Sequence, residues 1–190
     1  MITQRLIDRA HSAEGGMARH YLMLYACVLG VEAKRVFEFG AGYSSQVILD
    51  ALEETGGELI SCDPQSDEVL GMKPHKRWTH IQKNSRKALK KIDGVFDLVF
   101  HDGSHKHEEV RRDLRKILPR VKKSGLILVH DTFDSEKKYY LQKALEMFIG
   151  EKVTLCYGHG LTIIRQTEGE IAINPKWTKD RNEVVCKNMG

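Results

Sequence analysis

The sequence lacks a hydrophobic run long enough to cross a membrane. Its longest apolar stretch, residues 21–31, has 11 residues, whereas a membrane-spanning helix needs about 20. The first residues carry Arg5, Asp8 and Arg9, with no uninterrupted apolar core of signal-peptide length behind them. We therefore expect no transmembrane segment and no export signal, and predict a cytoplasmic protein.

Cysteines spaced like metal ligands are also missing. The four cysteines stand at positions 27, 62, 156 and 186, separated by 35, 94 and 30 positions. This spacing contains no Cys-x-x-Cys pair and no zinc-type pattern. We expect reduced thiols, three of them buried.

Neither sign of charge dominates, since 30 Lys and Arg face 26 Asp and Glu, for a net charge of +4. Residues 111–123 hold seven basic residues and one acid, but such a run is usually the solvated face of a helix. Nucleic-acid binding is therefore the less favoured interpretation. With 190 residues, 41% of them hydrophobic, and no repeat or Pro-rich linker, the chain is expected to form a single domain over residues 1–190.

Short apolar runs alternate with helical patterns along the chain, which is typical of an α/β fold with a parallel sheet covered on both faces. Strands are predicted at 35–39, 59–62, 78–82, 95–100, 126–129, 153–157 and 161–165. Helices are predicted near 17–28, 47–52, 85–92, 110–121 and 141–148. Only residues 158–160 join the last two strands, so that pair must be an antiparallel hairpin. Residues 1–34 form an N-terminal helical segment, 35–166 the core and 167–190 a polar C-terminal tail.

Ligands of open α/β sheets bind beyond the carboxyl ends of the strands, so residues that follow each strand carry most information. The first such segment is Glu38-Phe39-Gly40-Ala41-Gly42-Tyr43-Ser44-Ser45. Its glycines allow a sharp turn and close approach of a ligand, with a helix N-terminus behind. A dinucleotide fingerprint would have a third glycine where Ser45 stands, which disfavours NAD. A tight strand-to-helix turn without a ligand is the structural alternative.

Asp63 follows the second strand, 23 residues beyond Gly40. At about this interval an acidic residue accepts hydrogen bonds from ribose hydroxyls. NAD and S-adenosylmethionine both satisfy the pattern, and a turn or helix cap before Pro64 is the alternative without a ligand. A nucleoside ligand is favoured, but its identity stays open at this point.

Two further strand ends are polar. The fourth ends in Phe96-Asp97-Leu98-Val99-Phe100-His101-Asp102-Gly103-Ser104-His105, and the fifth in Leu126-Ile127-Leu128-Val129-His130-Asp131-Thr132. Together with the glycine segment, they resemble the class I S-adenosylmethionine-dependent methyltransferases. The similar branch has an Asp-Gly-Ser-His turn after strand four and a His-Asp-Thr turn after strand five, and includes O-methyltransferases of small molecules and sugars.

This resemblance, which covers about residues 36–165, implies a Rossmann-like three-layer sandwich. Its sheet would have seven strands, mostly parallel, with the last strand antiparallel. It also implies a cofactor site: a loop under the methionine part, an acid at the ribose, and two residues near the adenine. The implied cofactor-binding residues are Glu38, Gly40, Ala41, Gly42, Tyr43, Ser44, Ser45, Asp63, Asn84, Ser85 and Asp102.

The resemblance further implies catalytic roles for Asp102 and His105. Asp102 and Asp131, at neighbouring strand ends, could hold Mg²⁺, a hard cation that prefers oxygen ligands. His105 would be the general base, because its unperturbed pKa of about 6.5 lies near working pH. Thr132 departs from the commoner pattern of related metal-dependent enzymes, which often have Asn there as a further ligand. His130 and His101 are interpreted as packing or hydrogen-bonding groups.

The favoured function is therefore methyl transfer from S-adenosylmethionine to an oxygen of a small molecule or sugar. The alternatives are a nicotinamide-dependent oxidoreductase and a non-catalytic binding module on the same fold. The chain supplies little lid of its own, which leaves either an open site for a bulky acceptor or a homo-oligomer that completes the site. Two loop features, Gly16 before the first helix and His159 in the hairpin, are interpreted as a flexible connection and a simple turn.

Overall fold

A seven-stranded sheet forms the centre of the molecule. The structure is a computed structural model and describes residues 4–12, 16–133, 141–149, 151–165 and 172–173. The strands are β1 Arg35–Phe39, β2 Glu58–Cys62, β3 Trp78–Ile81, β4 Phe96–His101, β5 Val121–His130, β6 Phe148–Ile149, β7 Lys152–Leu155, β8 Leu161–Arg165 and β9 Ala172–Ile173. The α-helices are α1 Gln4–Ser12, α2 Tyr21–Gly30, α3 Tyr43–Thr55, α4 Ser85–Ala88, α5 His107–Ile117 and α6 Gln142–Leu145, with 3₁₀ turns at Met17–His20 and Leu118–Arg120.

The strand order is β3-β2-β1-β4-β5-β8-β7. Strands β1 to β5 pair in parallel, whereas β8 runs antiparallel to both β5 and β7. This confirms the predicted sheet and its antiparallel strand. The order changes direction at β1, whose neighbours are β2 on one side and β4 on the other. A crevice at the carboxyl edge of the sheet is expected there.

Helices cover both faces of the sheet and bury two separate cores. One face packs against α2 and α3, with Val36, Leu98 and Leu128 pointing toward them. The other face packs against α4, α5 and α6, with Phe39 and Val129 among its buried residues. Successive side chains of a strand point to opposite faces, which is why neighbouring strand residues fall into different cores. This is the predicted three-layer sandwich.

Four segments differ from the sequence-based expectation. Helix α5 spans His107–Ile117 rather than 110–121, and Val121 begins a strand instead of ending that helix. Strand β5 begins at Val121 rather than near 126, because Gly125 lies inside the strand at a shift of register between Phe96 and Leu98 of β4. Helix α4 is a single turn rather than spanning 85–92. Helix α6 is equally short, since Phe148 and Ile149 form β6 and pair with β9 from the C-terminal segment.

The structure describes three of the four cysteines. Cys27 and Cys62 are buried, but Cys156 is exposed, and all three are free thiols. Cys186 lies outside the described residues, as does most of the predicted tail, Trp177 included. Within the described ranges, no helix is long and apolar enough to cross a membrane.

Candidate active site

The loop after β1 lies against the loop after β4. Gly40 has φ +85°, and a Cβ built on it would lie 2.7 Å from the backbone oxygen of Asp102. Only glycine therefore fits, both for its positive φ and for the close approach. Gly42 has φ +151°, but open space surrounds its hypothetical Cβ. Gly40 thus allows the two strand ends to approach each other closely. Gly42 is required only for its backbone conformation, because no neighbour would contact a side chain there.

The carboxylate of Glu38 is sealed beneath this loop. Its side chain is completely buried and accepts hydrogen bonds from the hydroxyls of Ser44 at 2.7 Å, Ser45 at 2.5 Å and Ser61 at 2.6 Å. The indole nitrogen of Trp78 donates to Ser61 Oγ at 3.0 Å and extends the network to β3. Burial raises the pKa of Glu38 to about 7, although the three serine hydroxyls oppose that rise.

Ser45 stands where a dinucleotide fingerprint would have its third glycine, and its side chain makes hydrogen bonds within the protein. Its hydroxyl donates to Glu38 and also accepts the backbone N–H of Gly42 at 2.9 Å. Ser44 and Ser45 are both buried, and their hydroxyls are engaged with the carboxylate. Any contact of these two residues with a cofactor would therefore use the backbone amides at the start of α3. Tyr43 beside them has an exposed side chain.

The remaining cofactor candidates lie at the ends of β2 and β3. Asp63 follows β2 directly, and its Oδ1 accepts the backbone N–H of Gln65 at 2.8 Å. Asn84 caps α4, its side-chain oxygen accepting the Lys87 N–H at 3.1 Å. Ser85 Oγ is 3.0 Å from an Arg112 guanidinium nitrogen that donates to it. Asn84 and Ser85 thus have local structural partners that account for both side chains.

The structure brings Asp102, His105 and Asp131 together. One ligand atom from each of these residues lies within 4.8 Å of the other two. The closest pair is His105 Nε2 and Asp131 Oδ2, at 2.6 Å. The His105 side chain is 45% exposed and that of Asp131 is 8% exposed, so the cluster opens to solvent on the histidine side. Asp131 also has φ +57°, an unusual backbone conformation for a residue with a side chain.

His130 lies beneath both carboxylates, and its functional position was missed from sequence. Its Nδ1 is 3.1 Å from Asp102 Oδ1 and 3.2 Å from Asp131 Oδ1, while Nε2 is 3.1 Å from the carbonyl oxygen of Gly158. Because both ring nitrogens face oxygen acceptors, both carry protons and the ring is cationic. Burial opposes this charge, but the two carboxylates outweigh it and raise the pKa of His130 to about 10. Burial likewise opposes ionisation of Asp131, yet the two histidines lower its pKa.

A one-residue offset between strands explains why His130, and not His101, reaches the site. His101 pairs with Val129 in the β4–β5 register, so His130 stands one position further along and on the opposite face. His101 is buried against the Phe39 ring, 4.8 Å between centroids. Its Nε2 is 3.8 Å from Asp113 of α5. The two His-Asp sequences therefore place their histidines on different sides of the sheet.

The N-terminal segment closes over the hairpin loop beside the site. His20 is fully buried, and its Nε2 donates to the carbonyl oxygens of Tyr157 at 2.7 Å and Gly158 at 3.2 Å. A Cβ on Gly16 would lie 2.0 Å from the ring of His159. Gly16 therefore permits a close contact with His159. His159 itself lies in the expected turn, which the Gly160 N–H closes by donating to the Tyr157 carbonyl at 2.9 Å.

Two of the three clustered side chains fit a divalent cation. The carboxylates of Asp102 and Asp131 supply oxygen donors within reach of one centre, which suits Mg²⁺ or Mn²⁺, and the imidazole of His105 lies beside them. Thr132 is not part of this set, because its hydroxyl oxygen accepts from Thr162 at 2.9 Å. Thr132, at the position where related enzymes often have asparagine, thus connects the end of β5 to β8.

At least four of the seven basic residues between positions 111 and 123 have partners within the protein. Arg112 bonds Asp113 and Ser85, Arg120 donates to the Ile92 carbonyl at 2.7 Å, and Lys122 pairs with Asp97 at 2.7 Å. Arg111 pairs with Glu108. Cations with such partners are poor candidates for a phosphate-binding stripe, which supports the interpretation of a helix face.

Comparison with known proteins identifies the family of the chain. Residues 37–132, just over half of the chain, match the family model described as methyltransferase domain. No curated protein matches the chain significantly in sequence.

Several solved structures share the fold. A methyltransferase of Podospora anserina, PaMTH1, bound to S-adenosylhomocysteine, has a TM-score of 0.63 and 17% identity over 88% of this chain and 89% of that one. A putative caffeoyl-CoA O-methyltransferase of Staphylococcus aureus has a TM-score of 0.63 and 13% identity over 78% and 83%. MycE, a methyltransferase of mycinamycin biosynthesis in complex with Mg, S-adenosylhomocysteine and mycinamycin VI, has a TM-score of 0.59 and 20% identity over 85% and 52%. The chain therefore belongs to the methyltransferase-domain family and is a class I S-adenosylmethionine-dependent methyltransferase.

Proposed function

We propose that the chain transfers the methyl group of S-adenosylmethionine to an oxygen atom of a small molecule or sugar. The observation that carries this proposal is the convergence of Asp102, His105 and Asp131 at the carboxyl edge, directly beside the glycine loop where Gly40 meets the Asp102 backbone. A base, a cation site and a cofactor loop would thus lie together at the carboxyl edge of the sheet. The O-methyltransferase names of several neighbours agree with an oxygen acceptor.

The cofactor would lie across the ends of β1, β2 and β4. Gly40, Ala41 and Gly42 would face its methionine part, and the first amides of α3, at Tyr43, Ser44 and Ser45, would face its carboxylate, since a helix N-terminus favours negative charge. Glu38 would support this loop from below through its serine network. The next two strand ends would hold the nucleoside, with Asp63 at the ribose hydroxyls and Asn84 and Ser85 near the adenine.

The reaction is an in-line displacement in which the acceptor oxygen attacks the methyl carbon and the carbon–sulfur bond breaks. His105 would take the acceptor proton at Nδ1, the ring nitrogen opposite the one that faces Asp131, while the electron pair of the broken bond stays on sulfur. Asp131, 2.6 Å from His105 Nε2, would accept the hydrogen bond of that nitrogen, orient the ring and stabilise its protonated form. Asp102 and Asp131 would hold a divalent cation, which supplies Lewis-acid polarisation of the acceptor oxygen when bound. MycE, a structural neighbour, was determined with Mg bound.

Calorimetric titration with S-adenosylmethionine, S-adenosylhomocysteine and NAD, each with and without Mg²⁺, tests the cofactor assignment. Micromolar binding of the two adenosyl ligands, and none of NAD, is the expected result. Asp63→Ala should weaken that binding, whereas Asp131→Asn should leave it nearly intact and weaken Mn²⁺ binding, followed by electron paramagnetic resonance. Equal loss of cofactor affinity in both variants would contradict the proposed division between the two residues.

An acceptor screen with radiolabelled methyl groups then tests the reaction. Once an acceptor is found, His105→Ala should lower kcat by about 10²–10⁴, the usual contribution of a general base, and remove the acidic limb of the pH profile. A profile unchanged by this substitution would eliminate His105 as the base. The homo-oligomer and the cytoplasmic location stay predictions, which sedimentation and cell fractionation test.

A further inference from the structure

We propose that His80 is a positioning residue for the cofactor's ribose, holding the backbone of Asp63 in place from β3. This inference rests on the ribose role proposed above for Asp63. His80 would not touch the cofactor, and would act only through the strand-end segment formed by residues 63–67.

His80 bridges the two ends of that segment. Its Nε2 is 3.1 Å from the carbonyl oxygen of Asp63, and its Nδ1 meets the carboxylate of Asp67. A carbonyl oxygen can only accept, so Nε2 must carry the proton and donate it. The side chain of His80 is 6% exposed, whereas that of Asp67 is 51% exposed. The bond to the Asp63 carbonyl is therefore the shielded one, and a hydrogen bond shielded from water constrains geometry more strongly.

The imidazole is itself held by the strand's neighbouring aromatic residue. Its ring stacks on the Trp78 indole, with 5.4 Å between centroids and 7° between planes. Trp78 Nε1 donates to Ser61 Oγ, which donates in turn to Glu38. The support of Asp63 is therefore continuous with the network beneath the glycine loop.

The carboxylate of Asp63 is presented in a defined orientation. Oδ1 accepts the Gln65 N–H at 2.8 Å, while Oδ2 has no hydrogen-bond partner among the described residues. With the backbone held by His80 and one oxygen held by Gln65, the second oxygen can receive a ribose hydroxyl without reorganisation. Such pre-organisation raises affinity because less freedom is lost on binding.

Two substitutions separate the bonds of His80. Gln places its amide nitrogen where Nε2 of histidine lies and can still donate to the Asp63 carbonyl, whereas Asn overlays Nδ1 and cannot reach it. By calorimetry with S-adenosylhomocysteine, His80→Asn should weaken binding about tenfold and His80→Gln by less than about threefold, within the range one hydrogen bond provides. Thr79→Ala, at the exposed neighbouring position, is the matched control and should leave affinity unchanged.

A double-mutant cycle tests whether the effect passes through Asp63. If it does, His80→Asn should cost little affinity once Asp63→Ala is present, because coupled residues are non-additive. Urea unfolding of each variant verifies that all are folded under the titration conditions.

The outcomes separate the two proposals. Failure of the wild-type protein to bind S-adenosylhomocysteine would overturn the proposed function. Wild-type binding that is lost in Asp63→Ala but unchanged in His80→Asn would overturn only the role of His80. Equal losses in His80→Gln and His80→Asn, or additive losses with Asp63→Ala, would likewise show that His80 does not act by positioning Asp63.

Discussion

The two halves of the sheet's carboxyl edge use their carboxylates differently. At β1, Glu38 is fully buried and surrounded by three serine hydroxyls. At β4 and β5, Asp102 and Asp131 share one buried histidine below but adjoin the half-exposed His105 above. The carboxylate of Glu38 thus has all its hydrogen-bond partners inside the protein. The carboxylates of Asp102 and Asp131 have a buried partner on one side and a solvent-exposed imidazole on the other. Polar residues at strand ends are thus enclosed within the fold in one half and open to solvent on one side in the other, where the proposed chemistry would take place.

The largest expected effect comes from removing the internal carboxylate. Glu38→Ala leaves three buried hydroxyls without their acceptor and should lower the free energy of unfolding by about 3–5 kcal/mol, measured by urea denaturation. His105→Ala, on the exposed side of the other half, is the control and should change it by less than about 1 kcal/mol. Similar losses in both variants would remove the distinction between the halves.

The pH dependence of stability should show the two halves in separate windows. The pKa of Glu38 is raised in the folded state from 4.5 to about 7. Protonated Glu38 therefore stabilises the folded state fully below about pH 4.5, and this stabilisation is lost as pH rises through 7. The pKa of His130 is raised from 6.5 to about 10, so its contribution is complete below about pH 6.5 and is lost as pH rises through 10.

Urea unfolding in EDTA across pH 4–10 measures both windows. Glu38→Gln should abolish the fall in the free energy of unfolding between about pH 4.5 and 7, which is at most about 3 kcal/mol. His130→Asn should abolish the fall between about pH 6.5 and 10. If Glu38→Gln left the lower window intact, another group would have to titrate there.

Two glycines of the same loop give a smaller contrast. Gly40→Ala combines a strained φ with a clash against the Asp102 backbone and should cost about 2–3 kcal/mol. Gly42→Ala meets open space and should cost about 1 kcal/mol from strain alone. Thermal denaturation of the two variants checks the order, and the reverse order would mean that the two strand ends are not in close contact.

The smallest effect concerns the missing third glycine. Ser45→Gly would restore Gly-x-Gly-x-x-Gly but remove one donor to Glu38 and the acceptor of the Gly42 N–H. A loss of about 1–2 kcal/mol in the free energy of unfolding is expected, with no gain of NAD binding in calorimetry. Acquired NAD affinity would show that the serine, and not the whole site, sets cofactor choice.

Sequence periodicity was sufficient for the sheet, because burial on both faces leaves a strong apolar pattern. Strand β1 occupies the predicted 35–39, and the hairpin followed from the length of its loop. The boundaries of β5 and α6 were wrong, since Gly125 looks like a break where it lies at an irregular strand pairing, and Phe148 joins a partner strand distant in sequence.

The sequence predicted which residues make up the candidate site but not how their side chains contact one another. Asp102, His105 and Asp131 were named from motifs, and the structure brings them together. Nothing local distinguishes His130 from His101, since each precedes an aspartate, and only the one-residue offset between β4 and β5 assigns them to opposite faces. The sealing of Glu38 depends on Ser61 of β2, a contact that requires knowing which strands are neighbours.

The carbonyl oxygen of Gly158 accepts from both His20 and His130. One peptide group thus links the N-terminal segment to the residue that contacts both carboxylates of the candidate site. Opening of residues 16–20 would therefore remove a contact of the hairpin loop, whose Gly158 carbonyl is one of the three partners of His130. We expect the backbone amides of residues 16–20 and of the hairpin loop to exchange with solvent at a common rate, because the two segments would open together.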